Sequence, residues 1–137
     1  MHGADVLVVF ETDLEVAPHV RRCVDEVRAA GTPIVVTHDA PDDLPGVPWR
    51  LHLAGALSFF TSSGAALVLA SASAPCTTFH LDLERLDFLG LRGCEALLSG
   101  TRTVRENGGV LRIEHPSLPV RRVLRRGLLG ARNVAVS

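Results

Sequence analysis

Short apolar runs along the chain alternate with longer segments whose apolar residues recur every three or four positions. "DVLVVF" (5–10) is a Val-rich run between acidic residues, the pattern of a buried strand. In "ETDLEVAPHVRRCVDEVRAAG", Val20, Cys23, Val24 and Val27 fall at helical spacing, with Arg21, Arg22, Asp25 and Arg28 outside them. Pro18 has no N–H to give, so a helix is expected to begin just before it, and Gly31 to end it. "TPIVVTH" (32–38) then predicts a second strand. Strand, helix and strand form a βαβ unit, parallel if both strands share a sheet.

Three prolines, a glycine and three aspartates in "DAPDDLPGVP" (39–48) break the pattern. This is the expected boundary between an N-terminal βαβ extension over 1–46 and a domain over 47–137. The second part is expected to carry the fold, with the first at least partly dispensable. In "WRLHLAGAL" (49–57), Leu51, Leu53 and Gly55 alternate with Arg50, His52 and Ala54, as in a half-buried strand. Residues 33–38 and 49–55 could equally form an antiparallel hairpin across the loop, and the pattern leaves both arrangements open.

Hydroxyl-rich "SFFTSSGAALVLASASA" (58–74) predicts a capped Ala/Leu helix that Pro75 stops. "TTFHLDLERL" (77–86) predicts a strand with Phe79, Leu81 and Leu83 on one face. Residues 91–106 give the clearest helix, with Leu91, Cys94, Leu98, Thr101 and Val104 on its apolar side. "NGG" ends it, "VLRIE" (110–114) is a strand, and "SLPVRRVLRRG" (117–127) is a short capped helix with four arginines outward. "NVAVS" adds an edge strand. The fold class is therefore α/β: a mixed sheet of five or six strands flanked by helices.

Composition narrows the chemistry. The chain has 137 residues, 47% hydrophobic and 21% charged, with a net charge of −1. That describes a folded protein with no global field toward nucleic acid. All fourteen basic residues are Arg, which matches a GC-rich bacterial genome and excludes Schiff-base lysines and a P-loop lysine. Three cysteines without a C-x-x-C pair fit a reduced, cytoplasmic protein. No signal peptide and no run approaching about 20 apolar residues is present, so no membrane association is expected.

From residue 49 onward the order of elements resembles a STAS domain of the bacterial anti-sigma factor antagonist type. "LHLAGALSFFTSSGAALVLASASA" is similar to the family's strand, G-[E/A]-L-D segment and hydroxyl-rich helix start. "FHLDLERLDFLGLRGCEALLSGTRTVRENGGVLRI" is similar to its strand, F-x-D-S-S-G turn, amphipathic helix, G-G and strand. "PSLPVRRVLRRGLLG" resembles its closing helix. The opening 45 residues resemble, faintly, the first βαβ of a MEDS sensory domain.

The resemblance implies a non-enzymatic protein-binding module in partner switching, a form of transcription regulation. Its partner would be an anti-sigma factor or anti-sigma kinase domain, with no cofactor, metal, nucleic acid or membrane. Homodimerisation is a further expectation, either beside this role or as that of an oligomerising STAS domain in a sensory complex. In phosphorylated relatives the turn supplies an Asp followed by a phosphate-accepting Ser or Thr. Here those positions fall on Gly90 and on Leu91 or Arg92, and only Gly93 is kept, so the phosphorylation site is degenerate. The Asp of the G-E-L-D segment falls on Ser58. The implied partner-binding residues are Ser58, Phe59, Thr61, Gly90, Leu91, Arg92 and Gly93.

Other candidates have ordinary explanations. Cys94 lies just inside a helix start but on its apolar stripe, which favours packing over reactivity. His38, Asp39, Asp42 and Asp43 sit in a turn-forming loop without a second His at ligand spacing. They would matter if the N-terminal unit were a small-molecule sensor. No G-x-S-x-G or G-x-G-x-x-G occurs. Arg121, Arg122, Arg125 and Arg126 form a basic helix face without interleaved aromatics, a solvated face rather than a nucleic-acid site. Of the adjacent Phe59 and Phe60, one is expected to face outward.

Overall fold

A computed structural model describes residues 6–10, 18–37 and 50–137. Among these residues six strands form one mixed sheet: β1 (Leu7–Phe10), β2 (Ile34–Thr37), β3 (Arg50–Leu57), β4 (Thr78–Leu89), β5 (Val110–Glu114) and β6 (Val134–Val136). Their spatial order is β2-β1-β3-β4-β5-β6. Five helices accompany them among the described residues: α1 (Pro18–Ala29), α2 (Ser62–Ser73), α3 (Leu91–Gly100), α4 (Arg102–Glu106) and α5 (Leu118–Gly127). The mixed α/β class read from the sequence is the class observed. No helix among the described residues is long and apolar enough to cross a membrane.

β1 and β2 pair in parallel through α1, as a βαβ unit requires, while β1 runs antiparallel to β3 with Leu7 opposite Gly55. The hairpin arrangement is not adopted: β1 separates β2 from β3. Gly55 is needed at this crossing. Its φ is +77°, and a Cβ there would stand 2.1 Å from the Val6 carbonyl oxygen. The expected boundary loop, with His38, Asp39, Asp42 and Asp43, lies outside the described residues. The sheet and its core nevertheless run through both halves of the chain, because Leu7, Val9, Val20 and Val24 join the same buried cluster as Leu53, Leu81 and Leu111.

Helix α1 packs on α2, α2 on α3, and α3 on α5. The helices thus form one layer on one face of the sheet, where Leu7, Val9, Leu51, Leu53, Phe79, Leu81, Leu111 and Ile113 meet them, all buried. Such a layer removes water from most of the apolar residues whose spacing the sequence displays. The opposite face carries the polar partners of the alternation: Arg50 beside His80, His52 beside Asp82, and Asp82 beside Glu114.

β4 is longer than its pattern suggested, reaching Leu89 rather than Leu86. Two register shifts against β3, after His52 and after Gly55, insert one extra residue each. Each bulge sends two consecutive side chains outward, Glu84–Arg85 and Asp87–Phe88, between the buried Leu83, Leu86 and Leu89. The helix expected over 91–106 is broken at Thr101. Thr101 Oγ1 donates to the Leu97 carbonyl at 2.6 Å, and Arg105 Nη2 donates to the Leu98 carbonyl at 2.6 Å. These bonds and the preceding Gly100 compete with the helical ladder.

Candidate functional site

Parallel pairing brings the C-terminal ends of β3 and β4 level, with Leu57 beside Leu89. The chain leaves each strand in a tight turn, and the two turns abut. Gly90 N–H donates to the Leu57 carbonyl at 3.1 Å. Gly93 lies so close that a Cβ on it would meet the Leu57 carbonyl oxygen at 2.5 Å and Leu89 Cδ1 at 2.7 Å. Only glycine permits that approach without displacing backbone.

The first turn is tied from within. Thr61 Oγ1 donates to the Ala56 carbonyl at 2.9 Å and accepts from Ser58 N–H at 2.9 Å. Ser58 Oγ accepts from Phe60 N–H at 3.2 Å. Ser58 and Thr61 are therefore buried. Their hydroxyls hold the turn's shape from within. With both hydroxyls turned inward, the two residues between them are turned out. Phe59 is 67% exposed and Phe60 63%, their rings edge-to-face at 5.7 Å. The expectation of one outward Phe rested on extended chain; a turn at this point exposes both.

The second turn adds a third apolar residue. Leu91 is 60% exposed, at the first position of α3, because the buried stripe of that helix begins with Gly93 and Cys94 and continues through Ala96 and Leu97. Leu91 is thus off the apolar stripe on which its spacing had placed it. The Arg92 guanidinium lies 5.9 Å from the Phe59 ring centre and donates to Glu95 at 3.3 Å. Beyond Leu91 an open groove of about 640 Å³ runs to α5, lined by Leu89, Pro119 and Val123 and edged by Arg122, Arg125 and Arg126. Ser117 caps α5, its Oγ accepting from Val120 N–H at 3.4 Å.

The result is an apolar knob of Phe59, Phe60 and Leu91 beside four arginines. Gly90 shapes its turn, and Gly93 allows the two turns to touch. No residue from 90 to 93 carries a hydroxyl, carboxylate or thiol. Cys94 follows, but its thiol is buried under Gly127 and donates weakly to the Val123 carbonyl. Burial, with Glu95 adding to it, pushes the Cys94 pKa up to about 11. It is a packing residue.

A second polar constellation, which the sequence reading did not single out, lies on the face of the sheet opposite the described helices. Arg50 Nε donates to Glu114 Oε1 at 2.8 Å, and His80 Nδ1 lies 3.3 Å from the same oxygen. Burial works against ionisation of Glu114, but Arg50 and His80 outweigh it and hold its pKa below the usual carboxylate range. One strand position along, His115 Nδ1 stands 2.9 Å from Asp82 Oδ2, and His52 Nδ1 3.8 Å from Asp82 Oδ1. The hydrogen bond to Asp82 raises the His115 pKa; burial opposes it, and the charges of Asp82, Glu114 and Glu84 add to the rise.

No family model matches the chain, and no curated protein matches it. The MEDS-like reading of the opening segment therefore has no support from these comparisons. Among solved structures, the anti-sigma factor antagonist SpoIIAA in its unphosphorylated form is similar to this chain. The two are 20% identical over 66% of this chain and 83% of that one, with a TM-score of 0.48.

Proposed function

We propose that this protein is a cytoplasmic, non-enzymatic binding module in bacterial partner switching, with the role of an anti-sigma factor antagonist that phosphorylation cannot switch. The reading starts from the STAS resemblance of residues 49–137. The observation that carries it further is the exposed knob of Phe59, Phe60 and Leu91 on two abutting turns, at the position where that resemblance puts the recognition surface. Three large apolar side chains together on a surface mark a contact region more often than solvated scenery.

The flanking Arg92, Arg122, Arg125 and Arg126 define the partner further. A matching surface is apolar at its centre and acidic at its rim, as charge complementarity requires. In a phosphorylated relative, phosphate in this turn would add about −1.5 to −2 charges and repel such a partner. Leu91 and Arg92 instead offer a constant apolar and cationic contact, so binding is permanent and its regulation lies elsewhere, in the partner or in protein amount.

The test is calorimetric titration of the intact protein with purified anti-sigma factors and anti-sigma kinase domains of the same genome, with and without ATP. One of them should bind, ATP should not release it over time, and Leu91→Asp should weaken it at least about tenfold. A Leu91→Asp protein of unchanged thermal stability that still binds within about threefold, under about 0.7 kcal/mol, would sink the proposal. Binding by none of them, with a stable homodimer in light scattering, would favour an oligomerising role instead.

A further inference from the structure

We propose that Asp82, Glu84 and His115 bind a divalent transition-metal ion of the Zn²⁺ type on the face of the sheet opposite the described helices. Their donor atoms all lie within 4.8 Å of one another. Zinc bonds of about 2.1 Å in tetrahedral geometry separate donors by about 3.4 Å. His115 Nδ1 and Asp82 Oδ2, hydrogen-bonded at 2.9 Å, would part by about half an ångström around a metal that replaces the shared proton. Glu84 is exposed, so small rotations of its carboxylate can close the third edge.

The strand prepares this arrangement. Asp82 is buried, and Glu84 N–H donates to its Oδ1 at 2.9 Å, which leaves Oδ2 directed at His115. Asp82 and Glu84, two residues apart on β4, share this face by the strand's own alternation, and the bond lies at the first bulge of β4. Arg50, the cation one row away, is engaged by Glu114. Once the metal displaces that proton, the two carboxylates and the imidazole carry a charge of −2, which a divalent cation would balance. The imidazole nitrogen selects a borderline metal over Mg²⁺ or Ca²⁺, which prefer all-oxygen sites. Three protein ligands leave a position for water, with the buried His52 ring behind Asp82.

The experiment is titration of the full chain with ZnCl₂ by calorimetry, repeated with MgCl₂ and CaCl₂, with thermal unfolding followed in parallel. Wild type should take up Zn²⁺ at this site in preference to Mg²⁺ and Ca²⁺, and its melting temperature should rise with Zn²⁺. His115→Gly removes the imidazole while suiting the residue's φ of 55°. Asp82→Asn keeps the bond from Glu84 N–H. Each should lower Zn²⁺ affinity at least about tenfold and abolish the thermal shift. If Asp82→Asn fails to fold, the exposed Glu84→Gln takes its place. No Zn²⁺ uptake, equal uptake of Mg²⁺, or unchanged uptake by folded His115→Gly would each overturn the proposal.

Discussion

The guanidinium of Arg92 sits 5.9 Å from the centre of the Phe59 ring, joining two turns that are more than thirty residues apart in sequence. At an exposed site such a contact is worth about 0.5–1 kcal/mol. Arg92→Glu should therefore leave thermal unfolding nearly unchanged while reversing the charge beside the knob. Partner affinity should fall at least about tenfold and depend less on salt, as isothermal titration at two ionic strengths would register. Unchanged affinity would make Arg92 ordinary solvated surface.

Gly93→Ala tests the contact between the turns. The new methyl would meet a carbonyl oxygen at 2.5 Å, and overpacking of this kind costs about 1–3 kcal/mol. Urea denaturation should show that loss. A variant as stable as wild type would mean that the turns can separate freely.

Incubation with ATP and an anti-sigma kinase should leave residues 58–61 and 90–93 unmodified, because the second turn has no acceptor and Ser58 and Thr61 are buried and bonded inward. Phosphate mapped to Ser58 or Thr61 by mass spectrometry would show that the first turn opens and that switching survives by another residue.

A fragment of residues 47–137 would lose the β1 edge of β3 and the α1 face of α2. It should unfold at a clearly lower temperature than the full chain, or less cooperatively. Equal melting temperatures would instead make the opening 46 residues a dispensable extension.

Thiol titration reads the core directly. Cys23 and Cys76 are half-buried, whereas Cys94 is fully buried with a pKa of about 11. At pH 8 only about one Cys94 in a thousand carries the reactive thiolate. Native protein should therefore present at most two thiols to a disulfide reagent, and the third should react only on unfolding. Three rapid thiols would contradict the buried position of Cys94.

Much of this architecture was legible because local pattern and tertiary burial agreed. Leu51 and Leu53 alternate with Arg50 and His52 in sequence and on the two faces of β3. Val120 and Leu124 point inward from α5, as their spacing required. The misses came where tertiary context overrode a period. Bulges turned Leu83, Leu86 and Leu89 into a repeat of three, which breaks the alternation by which a strand is read. Leu91 fits the stripe of α3 by arithmetic, yet a first helical residue precedes the turn that packs. The Asp82–Glu84–His115 group left no sequence signal, because more than thirty residues separate its acidic members from its histidine and only the pairing of β4 with β5 unites them.

The strand order has a consequence for how the chain can be assembled at the ribosome. β2 settles on one side of β1; β3 then takes the other side, and β4, β5 and β6 follow, each beside the strand made just before it. No strand must wedge between two that have already paired. From β3 onward the sheet can therefore grow in the order of synthesis, each newly finished strand offering its free edge to the next, while β2 stays at the sheet's other end.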